Sequence, residues 1–185
     1  MVDAVRSETK RKMEATLDAT ADKLGGVRTG TANTSLLTTL TVDAYGTQMK
    51  LQEVATVSAP EPRLLVVSPY DKNTLGAIDK AIQTANLGLN PQSDGNILRV
   101  PIPALTEERR KEIVKAVGNI VEEGKVALRN VRRDANDQIK KAQKDGEISE
   151  DDAKRAQDEI QKLTDEGVEK LDEMGEAKEA EVMAV

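Results

Sequence analysis

The sequence contains no cysteine, no histidine, no tryptophan and no phenylalanine, and only two tyrosines among its 185 residues. Each absence removes chemistry. Without cysteine there is no disulfide scaffold, no thiol nucleophile and no thiolate-ligated zinc or iron–sulfur centre. Without histidine there is no imidazole base near neutral pH, and the commonest transition-metal ligand is missing. Serine–histidine–aspartate triads and the Glu-x-x-His sites of di-iron bundles are excluded with it. Catalysis would have to rest on carboxylate, lysine, serine or tyrosine groups. Long apolar runs are also missing: Leu64–Val67 is far short of the ~20 residues of a membrane span. The first residues carry charges of both signs and no apolar core of a signal peptide. The expectation is a soluble, cytoplasmic chain without cofactor or membrane association. Asn33-Thr34-Ser35 matches the glycosylation pattern, but in that setting it carries no weight.

What is present is charge, unevenly spread. The net formal charge is -6, yet residues 1–30 sum to +1, residues 31–105 to -1, residues 106–145 to +3 and residues 146–185 to -9. An acidic C-terminal segment therefore hides a basic middle. Between Lys125 and Lys141 six basic residues face only Asp134 and Asp137. An acidic chain can still carry a nucleic-acid-binding stripe if its cations cluster.

Two long helical patterns fill the C-terminal half. The first opens at Thr106, a good N-cap, with Glu107 and Glu108 where the helix dipole favours acids. Ile113, Val117, Ile120, Val121, Leu128, Val131, Ala135 and Ile139 form one apolar stripe on a wheel of 3.6 residues per turn. Asp145-Gly146 closes the pattern as a C-cap and turn. The second opens at Ser149 and carries Ala153, Ala156, Ile160, Leu163, Gly167, Leu171 and Met174 at spacings of three and four. The short link makes the pair an antiparallel hairpin. A weaker amphipathic pattern over residues 2–24, through Val5, Met13, Leu17 and Leu24, supplies the third helix that such a hairpin needs to close its core.

Residues 31–104 read differently. All six prolines lie here, among β-branched runs. Leu40–Tyr45 and Met49–Leu51 flank Gly46-Thr47 as a hairpin, Val54–Ser58 and Leu64–Ser68 read as strands, Asp71 or Asn73 caps a helix over Leu75–Ala85, and Ile97–Val100 follows the Asp94-Gly95 turn as a last strand. The predicted architecture is α+β. Residues 1–30 and 105–185 form a long antiparallel three-helix bundle, and residues 31–104 form a small inserted β/α/β domain. Two adjacent crossings join the bodies, at Gly30 and Thr31 and at Pro103, Ala104 and Leu105, which predicts a hinge.

The sharpest candidate site is Leu128–Asp137. On the wheel Lys125, Arg129, Arg132, Arg133, Asn136 and Lys140 share one face beside the apolar stripe. One reading is a phosphate-contacting ridge, since guanidinium forks match phosphate oxygens and each neutralised phosphate releases counterions. The plainer reading is a solvated helix face whose cations pair with Asp134 and Asp137. Three arginines within five residues favour recognition, because arginine is the better bidentate donor. The scarcity of aromatics argues against splayed single-stranded bases and for structured RNA read through its backbone. Arg28, beside the C-cap or hinge glycine Gly30, is a further cation for that ridge. Gly118 and Gly124-Lys125 only faintly resemble a P-loop: the spacing is wrong and Val126 replaces Ser/Thr.

These residues carry a resemblance. Val27–Gly30, Asp71–Ile82, Leu87–Pro91, Arg99–Glu112, Leu128–Asp137 and Glu159–Glu166 together resemble, in order, the ribosome recycling factor family of bacteria and organelles. The resemblance implies an L-shaped, tRNA-like molecule with a three-helix bundle and a hinged β/α/β domain. It implies binding to the post-termination ribosome through large-subunit ribosomal RNA. With elongation factor G and GTP, the ribosome would then separate into subunits and release mRNA and deacylated tRNA, with no catalysis by the chain itself. The family's RNA contacts map onto Arg28, Arg129, Arg132 and Arg133. The sequence departs from the family pattern at Thr31, where a basic residue is usual, and at Gly167 and Gly175, where larger side chains are usual. Each such glycine is expected to cost a helix about 1 kcal/mol against alanine. A monomer is expected. The competing readings are a coiled-coil adaptor that binds a protein helix, and a hydrolase built on carboxylates or a Ser–Lys pair.

Overall fold

The computed structural model describes residues 1–184. The chain divides into two bodies. One comprises Met1–Arg28 and Glu108–Met183, the other Thr29–Glu107.

The first body is a three-helix bundle of α1 (Val2–Gly25), α5 (Glu107–Lys144) and α6 (Glu150–Met183). Between α1 and α5 in chain order come α2 (Ser35–Thr38), α3 (Leu51–Val54) and α4 (Leu75–Thr84) of the second body. The 38 residues of α5 make a rod of about 57 Å. It ends as its sequence predicts. Gly146 takes φ +78°, its N–H donates to Gln143 O, and the Glu147 N–H donates to Ala142 O. That is a Schellman closure, which satisfies carbonyls the helix end would leave open. Ser149 Oγ then accepts from the Asp152 N–H at 3.1 Å and starts α6.

Two apolar clusters fill the bundle. Val5 packs with Ala135, Ile139, Ala153, Ala156 and Ile160. Farther along, Met13 packs with Val121, Leu128 and Leu171. Lys23 reaches Glu123 at 3.4 Å, so α1 runs antiparallel to α5. No aromatic side chain enters this core, and small residues let the helices approach instead. Thr9, Thr20 and Thr164 are buried. Their hydroxyls donate to the carbonyls of Val5, Thr16 and Ile160, four residues back, at 2.7, 2.9 and 2.8 Å. A threonine so satisfied can be buried without an orphaned polar group.

Two of the glycines are part of this packing. A Cβ on Gly175 would stand 2.8 Å from Val121 Cγ2, and one on Gly124 would stand 2.7 Å from Thr20 Oγ1. The propensity cost expected of Gly175 is thus set against packing, because an alanine there needs Val121 to shift. Gly167 is similar but looser, with Leu128 Cδ1 at 3.0 Å.

The second body holds a four-stranded antiparallel sheet in the order β3 (Ala55–Glu61), β4 (Leu64–Pro69), β6 (Ile97–Pro101), β5 (Gln92–Asp94). A separate hairpin of β1 (Thr41–Ala44) and β2 (Thr47–Lys50) accompanies it. Leu65 pairs with Val100 and Val67 with Leu98. All four are fully buried on one face, where they cluster with Ile78 and Ile82 of α4. The prolines sit where a sheet tolerates them: Pro60 lies in edge strand β3 near a register shift, and Pro69 and Pro101 end their strands.

Four local expectations are corrected. The hairpin turns at Tyr45-Gly46 rather than Gly46-Thr47, with both residues at positive φ, because Thr47 already pairs with Ala44. Leu51 begins α3 instead of ending a strand. Asp71 caps a 3-10 turn over Lys72–Thr74, and α4 follows it. The three-residue β5 was not foreseen, nor were α2 and α3. No described helix is long and apolar enough to cross a membrane.

Candidate nucleic-acid interface

The apolar stripe of α5 orients the helix, and the cations beside it are presented accordingly. Arg129, Arg133 and Lys140 are exposed, whereas Lys125, Arg132 and Asn136 are half-buried. Eleven residues separate Arg129 from Lys140, so the exposed cations span about 16 Å of helix axis.

Their partners distinguish them. Lys125 Nζ sits 2.6 Å from Asp172 Oδ1 of α6, with only 20% of its side chain exposed. It is an interhelical strut whose charge is already met. Arg129 Nη1 lies 3.3 Å from Glu122 Oε1, two turns back on the same helix and mostly in water, where such a pair is weak. Arg132 Nη1 donates to Gln161 Oε1 of α6 at 3.4 Å. Among the described residues Arg133 and Lys140 make no ion pair or side-chain hydrogen bond. Among the described residues neither Asp134 nor Asp137 pairs with an arginine; the carboxylates that meet cations of this face are Asp172 and Glu122 instead. Asn136 turns its Oδ1 inward, where it is buried without a hydrogen-bond partner.

Arg28 is exposed and follows the end of α1. The Lys23–Glu123 pair ties that end of α1 beside residue 123 of α5, and the ten residues from Glu123 to Arg133 alone span about 15 Å. Arg28 therefore follows the end of α1 that lies at Glu123.

The candidate hinge residues lie together in the second body. Gly30 has φ +78°, a region that favours glycine, and a Cβ there would meet Leu105 Cγ at 2.8 Å. Thr29, beside it, is buried, and its hydroxyl donates to Thr31 Oγ1 at 3.4 Å. Pro103 and Ala104 are exposed. Gly30 and Leu105 thus pack against each other within the second body.

A family model described as ribosome recycling factor matches residues 20–183. The chain belongs to the ribosome recycling factor family. It is 52% identical to the ribosome-recycling factors of Bacillus pumilus strain SAFR-032 and Bacillus subtilis strain 168, each match covering all of both chains. Among solved structures it is similar to a solution structure of the ribosome recycling factor, at 38% identity and a TM-score of 0.72, covering 100% of this chain and 98% of that one. It is also similar to a chain from models of the T. thermophilus ribosome recycling factor and E. coli elongation factor G bound to the E. coli post-termination complex. There the identity is 48%, the TM-score 0.63 and the coverage 98% of each chain. Family members are translation factors.

Side chains on α6 that contact the ridge were missed in the sequence. Asp172 and Gln161 belong to another helix, and only the register between the two helices brings them to Lys125 and Arg132.

Proposed function

We propose that this chain binds the post-termination ribosome through large-subunit ribosomal RNA. With elongation factor G and GTP, it separates the ribosome into subunits and so releases mRNA and deacylated tRNA. The reading is carried by one observation: a chain of this family presents Arg129, Arg133 and Lys140 on one exposed face, with no carboxylate among the described residues bound to the last two. Such a face suits phosphates, and the lack of stacking aromatics beside it suits a folded RNA backbone. The bundle is the RNA-binding body, with Arg28, Arg129, Arg132 and Arg133 as its contacts. The inserted domain moves about Gly30, Thr31, Pro103, Ala104 and Leu105. The chain acts in the cytoplasm as a monomer and is not an enzyme: the step it serves is dissociation, driven by the GTPase partner.

Light scattering of post-termination ribosomes tests this reading. Scattering is expected to fall when this protein, elongation factor G and GTP are present together, and to stay level when any one is left out. If the Bacillus subtilis relative separates subunits in the same mixture while this chain does not, the reading is wrong.

A further inference from the structure

Within the stretch Glu159–Glu166, part of the family resemblance, Ile160 and Thr164 serve the core. Two other side chains of the stretch form a relay that ends on the ridge. Gln161 Nε2 donates to Asp165 Oδ1 at 2.9 Å, one helical turn on, and Gln161 Oε1 accepts from Arg132 Nη1 at 3.4 Å. The order of donors and acceptors is forced. An ionised carboxylate only accepts and a guanidinium only donates, so the amide between them has one satisfactory orientation. Asp165 thus sets which end of the amide faces Arg132.

The contrast with Lys125 gives the relay its meaning. Lys125 touches its carboxylate directly, at 2.6 Å. Arg132 is kept one neutral amide away from Asp165. A carbonyl oxygen engages one of the five guanidinium N–H groups and removes no charge, so four donors and the full positive charge stay available. Arg132 is half-buried, and a long side chain held in one place gives up less freedom when it binds.

We infer that Gln161, oriented by Asp165, is a positioning residue for Arg132, holding its guanidinium ready for a ribosomal RNA phosphate without neutralising it. This rests on the proposed RNA-binding role of the ridge. The experiment measures affinity for purified large ribosomal subunits across a salt series, with circular dichroism as the check on folding. Gln161→Leu, which keeps the bulk and removes the acceptor, is expected to weaken binding roughly two- to tenfold and leave the salt slope unchanged, since no charge is lost. Gln161→Glu puts a carboxylate on Arg132, and the slope should fall by about one as one phosphate contact is lost. In an Arg132→Ala background, Gln161→Leu should have no further effect. If Arg132→Ala weakens binding but Gln161→Leu does not, or if Gln161→Leu costs the same in both backgrounds, the positioning role is overturned and the ridge stands. If Arg132→Ala itself binds like the unaltered protein, Arg132 is not a contact and the inference falls with that part of the reading.

Discussion

Lys125 and Asp172 meet at 2.6 Å between α5 and α6, and this pair removes from the ridge a cation that the helical wheel assigns to it. A lysine whose charge is met and whose stem is packed gains little by approaching a phosphate. Lys125→Ala is therefore expected to act on the fold. A partly exposed ion pair is worth about 1 kcal/mol or less, and the buried stem adds to it. The melting temperature should fall by about 2–4 °C, with affinity for large ribosomal subunits and its salt slope unchanged. A slope that drops by about one would return Lys125 to the contact set.

The bundle glycines separate propensity from packing. Gly118 is exposed in mid-helix, and a Cβ there would meet nothing within 4 Å. Gly118→Ala should raise stability by up to about 1 kcal/mol. Gly175→Ala gains the same propensity but drives a Cβ to 2.8 Å from Val121 Cγ2. Overpacking of this kind costs about 1–3 kcal/mol, so the net is expected to be a loss. Gly124→Ala meets Thr20 Oγ1, whose bond to Thr16 O holds it in place, and should also destabilise. Urea unfolding of the three variants decides the matter. A stabilised Gly175→Ala would mean that the helices move apart easily.

The two tyrosines supply a titration that reports on the inserted domain. Tyr45 stands at φ +53° in the hairpin turn, and its hydroxyl donates to Asp71 Oδ2 at 2.8 Å. Beside that carboxylate the phenol is held above its ordinary value near 10, because the hydrogen bond favours the protonated form. The Asp71 carboxyl is held below its usual range, first by the Asn73 N–H and then by the Tyr45 hydroxyl. The signs are opposite. The tyrosine's contribution to stability is present below about pH 10 and is lost as pH rises through the raised value. The aspartate's is present above about pH 4 and is lost as pH falls through the lowered one. In a Tyr70→Phe background, where Tyr45 is the one phenol left, ultraviolet titration should give a midpoint above 10 that Asp71→Asn brings down. An unmoved midpoint would mean that the bond does not persist in solution.

The parts of the fold legible in the sequence are those whose periodicity runs over many residues. The apolar stripe of α5, the Ser149 cap and the Gly146 closure are local patterns, and the structure follows them. Elements of three or four residues, such as α2, α3 and β5, are too short to show a period. The sequence places the turn one residue late because a non-glycine residue, Tyr45, occupies a left-handed position. Gly124 and Gly175 are buried, yet glycine has no side chain to register as hydrophobic, so their place in the core could not be read. The ridge itself was legible as a face. Which of its cations are free was not, because Asp172 and Gln161 reach it from another helix.

The most direct test of the account is the salt dependence of binding to large ribosomal subunits, measured for the unaltered chain and for Arg133→Ala. Arg133 is exposed and has no side-chain partner among the described residues, so its removal should leave the circular dichroism spectrum unchanged. Affinity of the unaltered chain should fall steeply with salt. Loss of one charged contact, worth about 1.5–3 kcal/mol, should weaken Arg133→Ala at least about tenfold and lower the slope by about one. A shallow slope, or an Arg133→Ala protein that binds with unchanged affinity and slope, would contradict the claim that this face of α5 grips ribosomal RNA.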